Sequence, residues 1–464
     1  MQVLVALVLL AAACTSDVEE GVTDQALIPS YIDSALDCGR AALAGNLAPG
    51  TQLQRVDIST AEFPDARCND GTPGVFFFRP SATQAGANRW IIQLQGGGGC
   101  RTADDCAARW CRIGTNFGAT QMTSDLAPAN GIDGDGILYR GPAQVSPFED
   151  ANQVLIRYCS SDNWSGRSGL VPLVGAHPIT GDRIVYVMDF RGADILDAVI
   201  TKLRQDGVPG LIYTQGGANV PLPDLDAASR VVLAGASAGG AGVINNGDRI
   251  QDLLVANDLD GVLDYRLLID SIFAPNADDL DWTPSTWCTQ AVCDWSDIFL
   301  PMNTMFERHG DTSCDVWHAN APGTEWMCDD TDHVVRHHVL TPMMVRMGLF
   351  DDLLSGNLIA SGVEDGAGNP MTLPLFASLV TAQLLALPQI AVAGQTEETA
   401  PVAPATFGPQ CPKHETLSNN PSTFNTRITK ANTPLRMFDV WTNWVNGAAN
   451  AQVVFAPGDP QVCN

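Results

Sequence analysis

The segment Val231-Val-Leu-Ala-Gly235-Ala-Ser237-Ala-Gly239-Gly240 predicts the fold of this chain. Four apolar residues, typical of a strand buried on both faces, lead into a Gly-x-Ser-x-Gly turn, and a helical pattern follows. A tight strand-to-helix turn needs small residues around its serine, and Gly235 and Gly239 provide that space. The pattern predicts an exposed nucleophile, Ser237, with the Ala238 N–H placed to stabilise an oxyanion. A structural serine in a glycine-rich turn is the alternative interpretation.

Other short apolar runs alternate with helical patterns along the chain. The predicted buried strands are Trp90–Leu94, Val154–Tyr158, Ile184–Met188, Val231–Ala234, Arg266–Ile269 and Met343–Leu349. The predicted helices include Ala193–Gln205, which has one apolar face, and Ala238–Leu254. This alternation indicates an α/β fold that is α/β-hydrolase-like, with a mainly parallel central sheet flanked by helices, with disulfide bonds and insertions.

Length and charge narrow the functional class. The chain has 464 residues, of which 45% are hydrophobic, enough for one large core. It carries 25 basic and 52 acidic residues, a net charge of −27. Nucleic-acid binding requires a basic surface, so we predict no nucleic-acid partner. Residues 31–464 are predicted to form a single α/β-hydrolase domain after two leader segments, 1–14 and 15–30.

The first residues resemble an export signal. Val3–Ala13 is an apolar run of signal-peptide length, too short to span a bilayer comfortably. It ends in Ala-Ala-Ala-Cys14, similar to a bacterial lipoprotein cleavage box with Cys14 as the lipidated residue. Ordinary signal cleavage nearby is the alternative. We therefore predict an extracytoplasmic protein, secreted or lipid-anchored at a bacterial cell envelope, that meets the membrane only through such an anchor.

The cysteine count agrees with export. Besides Cys14 the chain has an even number, which in an exported protein indicates disulfides. The sequence does not fix the pairing, but close neighbours such as Cys288 with Cys293, or Cys314 with Cys328, are plausible partners. The twelve residues are Cys38, Cys68, Cys100, Cys106, Cys111, Cys159, Cys288, Cys293, Cys314, Cys328, Cys411 and Cys463.

Metal-binding patterns are weak in the sequence. No Cys-x-x-Cys pair occurs, and the histidines do not fall at zinc-finger spacing. His333 and His337 are four residues apart on a possible helix, but no glutamate completes a His-Glu-x-x-His motif. We predict a solvated cluster at His333, His337 and His338, and no metal or cofactor.

A long uncharged stretch, Thr372–Gly394, matches the length of a membrane span. Pro374 and Pro388 interrupt it, so a buried or lid-forming helix near Leu375–Leu387 is the better interpretation. The sequence thus predicts a lid within residues 353–410.

A second glycine-rich segment precedes the serine motif. The strand Trp90–Leu94 opens into Gln95-Gly-Gly-Gly-Gly-Cys100. Esterases use such a loop to aim backbone N–H groups at the developing alkoxide, because glycine allows positive φ and close approach. A phosphate loop would need a Lys after the glycines, and a dinucleotide loop would need a following helix. The oxyanion interpretation is therefore preferred.

The order of residues selects candidates for the acid and the base. This fold places its triad in the order serine, acid, histidine. His414 is the only histidine beyond the late strand Met343–Phe350, so we predict that it is the base. Asp351 follows that strand and is the predicted acid, with Asp352 and Asp270 as open alternatives.

Taken in order, these segments resemble the pectin acetylesterase and Notum carboxylesterase family. The glycine segment is similar to its W-L-x-x-L-E-G-G-G-W-C motif, and Gly235–Gly240 to its G-x-S-A-G-G motif. Tyr158-Cys-Ser-Ser-Asp-Asn-Trp-Ser-Gly166 resembles Y-C-S-S-D-x-W-S-G, Phe190-Arg-Gly192 resembles F-R-G, and Cys411-Pro-Lys-His414 a late Cys-x-x-His. The resemblance runs from about Trp90 to His414. Two departures, a Gln for the usual Glu and a Gly for an aromatic within the glycine segment, leave acyl specificity open.

The resemblance implies roles for particular residues. It implies a triad of Ser237, Asp351 and His414. It also implies oxyanion donors at Gly97, Gly98 and Ala238, and positions near the pocket for Trp164 and Asp162.

We accordingly predict a serine esterase that needs no cofactor. Its partner would be an acylated polysaccharide or another ester substrate, with acetyl groups as the first expectation. Esters of longer acyl chains are the alternative, since the 372–394 region could line a lipid pocket. A catalytically inactive glycan-binding surface protein is the rival from another class.

Overall fold

A nine-stranded sheet forms the centre of the protein in a computed structural model. The structure describes residues 29–38, 49–115, 117–141, 146–204, 212–215, 218–221, 223–255, 263–387, 404–418, 427–430, 433–446, 452–454 and 461–462. The predicted leader segments, apart from residues 29 and 30, and Cys14 lie outside these residues, as does part of the predicted lid.

The strands in chain order are β1 Pro49–Asp57, β2 Val75–Arg79, β3 Arg89–Leu94, β4 Asn152–Ile156, β5 Ser168–Ala176, β6 Arg183–Phe190, β7 Ile212–Gln215, β8 Ala218–Pro221, β9 Arg230–Ala236, β10 Asp264–Asp270, β11 Leu280–Asp281, β12 Met343–Arg346, β13 Glu364–Asp365, β14 Ala405–Gly408, β15 Arg427–Lys430, β16 Thr433–Arg436, β17 Gln452–Val454 and β18 Gln461–Val462. The α-helices are α1 Ile32–Ala35, α2 Ala103–Trp110, α3 Gly192–Leu203, α4 Ala238–Val255, α5 Trp295–Phe306, α6 Thr312–His318, α7 Thr331–His337, α8 Asp352–Ser361, α9 Leu373–Ala386 and α10 Met437–Val445.

The central sheet has the order β1-β2-β4-β3-β9-β10-β12-β14-β17. From β4 to β17 every pairing is parallel, whereas β2 runs antiparallel to both β1 and β4. Alternate residues of β9 bury against opposite layers: Val231 and Leu233 on one face, Val232 and Ala234 on the other. Such two-sided burial explains the uninterrupted apolar runs. The predicted α/β class, with a mainly parallel sheet flanked by helices, is confirmed.

One predicted strand lies elsewhere. The run Ile184–Met188 belongs to β6, which pairs antiparallel with β5 in a separate two-stranded sheet and not with the central strands. Its first three residues are exposed or half-buried and only the later ones are buried. Only the C-terminal half of the apolar run is therefore buried. Periodicity alone did not distinguish this half-buried strand from a central strand. The helices predicted at 193–205 and 238–254 are present as α3 and α4.

Residues 271–342, between β10 and β12, form a cap that carries α5, α6, α7 and β11. β11 pairs with β13, which ties the cap to the segment after α8. The described part of the uncharged stretch, residues 372–387, contains α9, whose Phe376, Val380 and Leu384 are buried in the main core. α9 contacts β14 and β17, so this part of the predicted lid belongs to the core. Among the described residues, no helix is both long and apolar enough to cross a membrane.

Five disulfides link described residues: Cys38–Cys111, Cys68–Cys159, Cys100–Cys106, Cys288–Cys293 and Cys314–Cys328. Both neighbouring pairs named from the sequence are confirmed. Cys411 is also disulfide-bonded. Two of the bridges, Cys288–Cys293 and Cys314–Cys328, lie within the cap.

Candidate active site

Ser237 occupies a strained turn between β9 and α4. Its φ of 55° places a non-glycine residue in the left-handed region, which persists only where the surroundings hold it. A Cβ on Gly235 would lie 2.1 Å from the carbonyl oxygen of Gly239, and one on Gly239 would lie 2.2 Å from that of Leu94. Both glycines are therefore required for the turn. The Ser237 N–H donates to the carbonyl oxygen of Asp270 at 2.9 Å, which joins the turn to β10.

His414 is bonded to a buried carboxylate. Its Nδ1 donates to Asp351 Oδ2 at 2.8 Å, and Asp351 is fully buried. A carboxylate only accepts, so this bond places the proton on Nδ1 and leaves a lone pair on Nε2. That Nε2 is buried and has no hydrogen-bond partner among the described residues. Asp351 is itself fixed as the N-cap of α8, where it accepts from the amides of Leu353 and Leu354.

Two opposing effects act on the imidazole. Burial lowers the pKa of His414, but the hydrogen bond to Asp351 and the negative charges of Asp351, Glu415 and Asp270 raise it, and the net shift is upward. The site therefore stabilises the imidazolium form relative to a histidine in water.

Asp270, an alternative acid in the sequence, has a different set of partners. It forms a fully buried ion pair with Arg346 at 2.9 Å and accepts from the amides of Thr416 and Leu417 at 2.7 and 2.9 Å. Arg346 in turn donates to the carbonyl oxygen of His414 at 2.9 Å. This pair holds the His414 loop against the end of β10. Asp352, the other alternative, is exposed. Of the three carboxylates, only Asp351 bonds to the imidazole.

The glycine loop lies against both the serine turn and the histidine loop. A Cβ on Gly96 would lie 3.3 Å from Ser237 Cβ and 2.6 Å from Glu415 Oε1. Gly97 and Gly98 have φ values of 150° and 63°, which side chains rarely tolerate. Gln121 Nε2 donates to the Gly96 carbonyl oxygen at 3.2 Å and supports the loop from outside. The three segments predicted from sequence thus meet at one place.

Trp164 and Asp162 lie beneath this loop. Both are fully buried, and neither lines the cavity described below, although their neighbours Asn163 and Ser165 do. Trp164 Nε1 donates to the carbonyl oxygen of Gln95 at 3.0 Å. Asp162 accepts from Ser160 Oγ and from the amides of Trp164 and Gly192, and burial raises its pKa to about 6. The two residues therefore support the loop.

We expect Asp162→Ala to lower stability more than it alters substrate binding. The change leaves two buried backbone N–H groups and one hydroxyl without their acceptor, at about 1–3 kcal/mol each. Chemical denaturation should show a loss of at least about 3 kcal/mol in the free energy of unfolding. Asp182→Ala, at an exposed position, is the matched control and should leave stability unchanged. Equal stability of the two variants would contradict the supporting role.

Several residues of the site were not identified from sequence. Gln121 and Glu415 carried no pattern signal, and Asp270 was considered only as an acid. Arg346 did carry a pattern signal, because a charge inside the apolar run Met343–Leu349 must be paired when that run is buried. The geometry that unites these residues depends on contacts across the sheet.

A cavity of about 250 Å³ lies near the serine turn, although Ser237, Asp351 and His414 are not among its lining residues. Ala241 lines it, and the Ala241 amide donates to the Ser237 carbonyl oxygen at 3.0 Å, one helical turn from the serine. The wall is largely aromatic and aliphatic, and Trp295 stacks on Phe299 with centroids 3.7 Å apart. Its apolar lining includes Ile244, Ile272, Leu280, Trp282, Trp287, Trp295, Phe299, Phe306, Val334, Leu354 and Leu358. Most of these residues belong to the cap. Helix α9, which the sequence suggested as a pocket wall, is not among the lining residues.

Comparison with known proteins agrees with these features. A family model described as Pectinacetylesterase matches residues 50–271. The chain is 32% identical to the palmitoleoyl-protein carboxylesterase Notum of Drosophila melanogaster over 53% of this chain and 32% of that protein. It is 30% identical to pectin acetylesterase 4 of Arabidopsis thaliana over 42% of this chain and 39% of that protein. The matched regions therefore span 32% and 39% of the length of these two relatives.

A solved structure of the Wnt deacylase Notum from Drosophila has the same fold. It superposes with a TM-score of 0.59 over 88% of this chain and 97% of that chain, at 24% identity. The matched family model and the curated relatives, in agreement with the order of the sequence motifs, place residues 50–271 of this chain in the pectin acetylesterase and Notum carboxylesterase family.

Proposed function

We propose that this protein is a serine carboxylic-ester hydrolase with Ser237 as nucleophile, His414 as base and Asp351 as the acid that orients it. The observation that carries the proposal is the 2.8 Å bond from His414 Nδ1 to the buried Asp351, which leaves a lone pair on Nε2. The strained serine turn and the glycine loop supply the other two parts of such a site.

In the proposed reaction, Ser237 Oγ attacks the ester carbonyl carbon while its proton passes to His414 Nε2. The amides of Gly97, Gly98 and Ala238 stabilise the oxyanion of the tetrahedral intermediate. Collapse breaks the bond to the alcohol, which takes the proton from Nε2, and leaves an acyl-serine. Water then attacks the acyl carbon while His414 Nε2 takes its proton. Collapse breaks the bond to Ser237 Oγ, which recovers that proton, and the carboxylic acid is released.

The cavity favours an acyl group longer than acetyl, the alternative raised by the sequence. Its volume of about 250 Å³ is roughly eight times the ~30 Å³ that a water molecule occupies in the liquid. Burying an apolar chain against its aromatic wall contributes about 0.8 kcal/mol per CH₂ group, whereas an acetyl group would leave most of the wall without contact. One relative is named a palmitoleoyl-protein carboxylesterase and another a pectin acetylesterase, so either acyl length has a precedent among the relatives.

We place the substrate outside the cytoplasm. Five disulfides among the described residues require an oxidising compartment, where thiol-based reduction does not compete. The same proposal includes secretion or lipid anchoring at Cys14. It also takes a carbohydrate or protein hydroxyl as the alcohol portion of the ester.

The direct test is hydrolysis of p-nitrophenyl esters from acetate to palmitate by the wild-type protein, together with labelling by a serine-reactive phosphonate. We expect turnover, an optimum at an acyl chain longer than acetate, and a single phosphonate on the peptide that contains Ser237. Absence of both turnover and labelling would contradict the proposal and favour a catalytically inactive binding protein.

Filling the cavity should change acyl preference. Leu280 lines the cavity at a distance from the proposed triad, and Leu280→Trp adds volume there. We expect kcat/KM for a ten-carbon ester to fall by at least about tenfold, while kcat/KM for acetate stays within about twofold. Val292→Trp, at an exposed cap position outside the cavity, is the matched control. Parallel losses on both esters would show that the cavity does not receive the acyl chain.

A further inference from the structure

Three histidines of the cap form a buried cluster, contrary to the solvated cluster expected from sequence. His318 ends α6, His333 lies in α7, and His338 follows α7; their exposed fractions are 2%, 6% and 0%. The Nε2 atoms of His318 and His333 are 3.0 Å apart. The sequence pattern missed this because His318 reaches the other two only through the fold of the cap. His337, which the spacing paired with His333, is not one of the three.

The cluster has the size of a metal site. The ring nitrogens that the three histidines offer, and Sγ of Cys314, all lie within 4.8 Å of one another. Imidazole nitrogens bind zinc at about 2.0–2.1 Å, so nitrogens in a tetrahedral site are separated by about 3.3 Å. The 3.0 Å spacing of His318 and His333 is close to that value. Cys314 is bonded to Cys328 and is no thiolate, so the three imidazoles are the ligands and water would complete the shell.

Hydrogen bonds to neighbouring hydroxyls orient two of the three imidazoles, so that their Nε2 lone pairs face the centre of the cluster. Thr324 Oγ donates to the Ala321 carbonyl oxygen, so it accepts from His318 Nδ1 at 2.7 Å. Ser313 Oγ donates to Asp311, so it accepts from His338 Nδ1 at 3.0 Å. Protons on both Nδ1 atoms leave lone pairs on both Nε2 atoms. Orientation of a ligating histidine through its other ring nitrogen is the usual arrangement around protein-bound metals.

One imidazole of the cluster also carries a lone pair that no described residue satisfies. Nε2 of His338 is buried and has no hydrogen-bond partner among the described residues. A neutral imidazole with a buried lone pair that no donor satisfies is suited to a cation.

We propose that His318, His333 and His338 bind one divalent transition-metal ion, with zinc as the best-fitting candidate, in a structural site within the cap. Without metal, the proton between the two Nε2 atoms lies on His333, because His318 Nε2 carries a lone pair. Metal binding removes this proton from His333 Nε2, and the His333 ring takes the Nδ1–H tautomer. The ion joins the end of α6 to α7, next to the bridge Cys314–Cys328. Because Cys328 and Val334 line the cavity near the serine turn, the site would stiffen that part of the cavity wall. This inference does not depend on the proposed catalytic activity.

The test uses untagged, full-length protein that is stripped with EDTA and dialysed against Zn²⁺ or Co²⁺ in excess Mg²⁺. Excess Mg²⁺ occupies weak acidic surface sites, which 52 acidic residues make abundant. We expect about one retained zinc per chain by elemental analysis, a visible absorption spectrum of tetrahedral type for the Co²⁺ form, and a higher Tm with Zn²⁺ than with Mg²⁺ alone. Wild-type protein that retains no stoichiometric zinc would overturn the proposal.

Variants identify the ligands. His333→Gln and His338→Gln should lose the retained zinc, whereas His177→Gln, a half-exposed histidine on the turn between β5 and β6, should keep it. If the ligand variants fail to fold, Thr324→Val and Ser313→Ala alter only the orienting hydroxyls and should weaken zinc affinity by about 10–100-fold. Full zinc binding by folded His333→Gln, or unchanged affinity in both hydroxyl variants, would contradict the assignment.

Discussion

Replacing Ser237 by alanine is expected to reduce kcat for p-nitrophenyl ester hydrolysis by about 10⁴–10⁶-fold. In the proposed mechanism, the substitution removes the oxygen that forms the acyl intermediate, and only the residual rate from the proposed oxyanion amides and substrate binding remains. KM should change little, because the acyl cavity and the glycine loop are untouched. The measurement is initial-rate kinetics with the acyl ester that wild type prefers, alongside phosphonate labelling.

Ser237→Ala should not disturb the fold. Alanine keeps the Cβ and the backbone hydrogen bond to the Asp270 carbonyl oxygen. The turn does not depend on a hydrogen bond from the serine hydroxyl to any described residue. Ser361→Ala is the matched control: it removes a buried hydroxyl at the end of α8, which donates to the Leu358 carbonyl oxygen. We expect that control to retain activity. A Ser237→Ala protein that still hydrolyses the ester and still takes up phosphonate would place the nucleophile elsewhere.

Local sequence was sufficient where the structural requirement was local. The turn at Ser237 needs two glycines within five residues, and those residues are adjacent in the chain, so motif and geometry coincide. The same holds for β3 and its glycine loop, and for the strands whose two-sided burial produces continuous apolar runs.

Choices between neighbouring polar residues required the fold. Asp351 and Asp352 differ by one position, yet one is fully buried beside an imidazole and the other is exposed. Asp270 also ends a parallel strand, but its carboxylate faces Arg346 across the sheet. A carboxylate at the end of a strand can lie on either side of the turn that follows. The direction of the backbone after the strand decides which, and composition and periodicity do not encode that direction.

The cap was the least predictable part. Its short helices carry little periodicity, and its order depends on disulfides and on contacts between residues far apart in sequence. The histidine cluster and most of the lining of the cavity near the serine turn belong to this region. Sequence reasoning placed the lid at residues 353–410, whereas most of the apolar lining residues of the cavity lie within 271–342.

Asp351→Asn is expected to reduce kcat by about 10⁴-fold while the fold is retained. Asparagine still caps α8 through its side-chain oxygen, so the loss of stability should be small. Its neutral side chain cannot stabilise an imidazolium, and it can donate to Nδ1 and favour the wrong tautomer. Asp352→Asn, one residue away and exposed, is the matched control and should retain wild-type kcat.

Asp270→Asn should behave differently from Asp351→Asn. It leaves the buried Arg346 charge without its counter-ion, at a cost of about 3–5 kcal/mol in the free energy of unfolding. A large activity loss with unchanged stability in Asp270→Asn, together with normal activity in Asp351→Asn, would reverse the assignment of the acid.

The pH profile provides an independent measure of the same pair. The base works only when His414 is neutral, so kcat/KM should fall as pH decreases through the pKa of His414. Burial lowers that pKa, but the hydrogen bond to Asp351 and the charges of Asp351, Glu415 and Asp270 together outweigh it, so wild type should lose activity at an apparent pKa above the ~6.5 of an ordinary histidine. Asp351→Asn removes the Asp351 charge that opposes burial, so the pKa of His414 should fall and the residual activity should persist to lower pH. An identical acid limb in both proteins would mean that Asp351 does not act on the catalytic base.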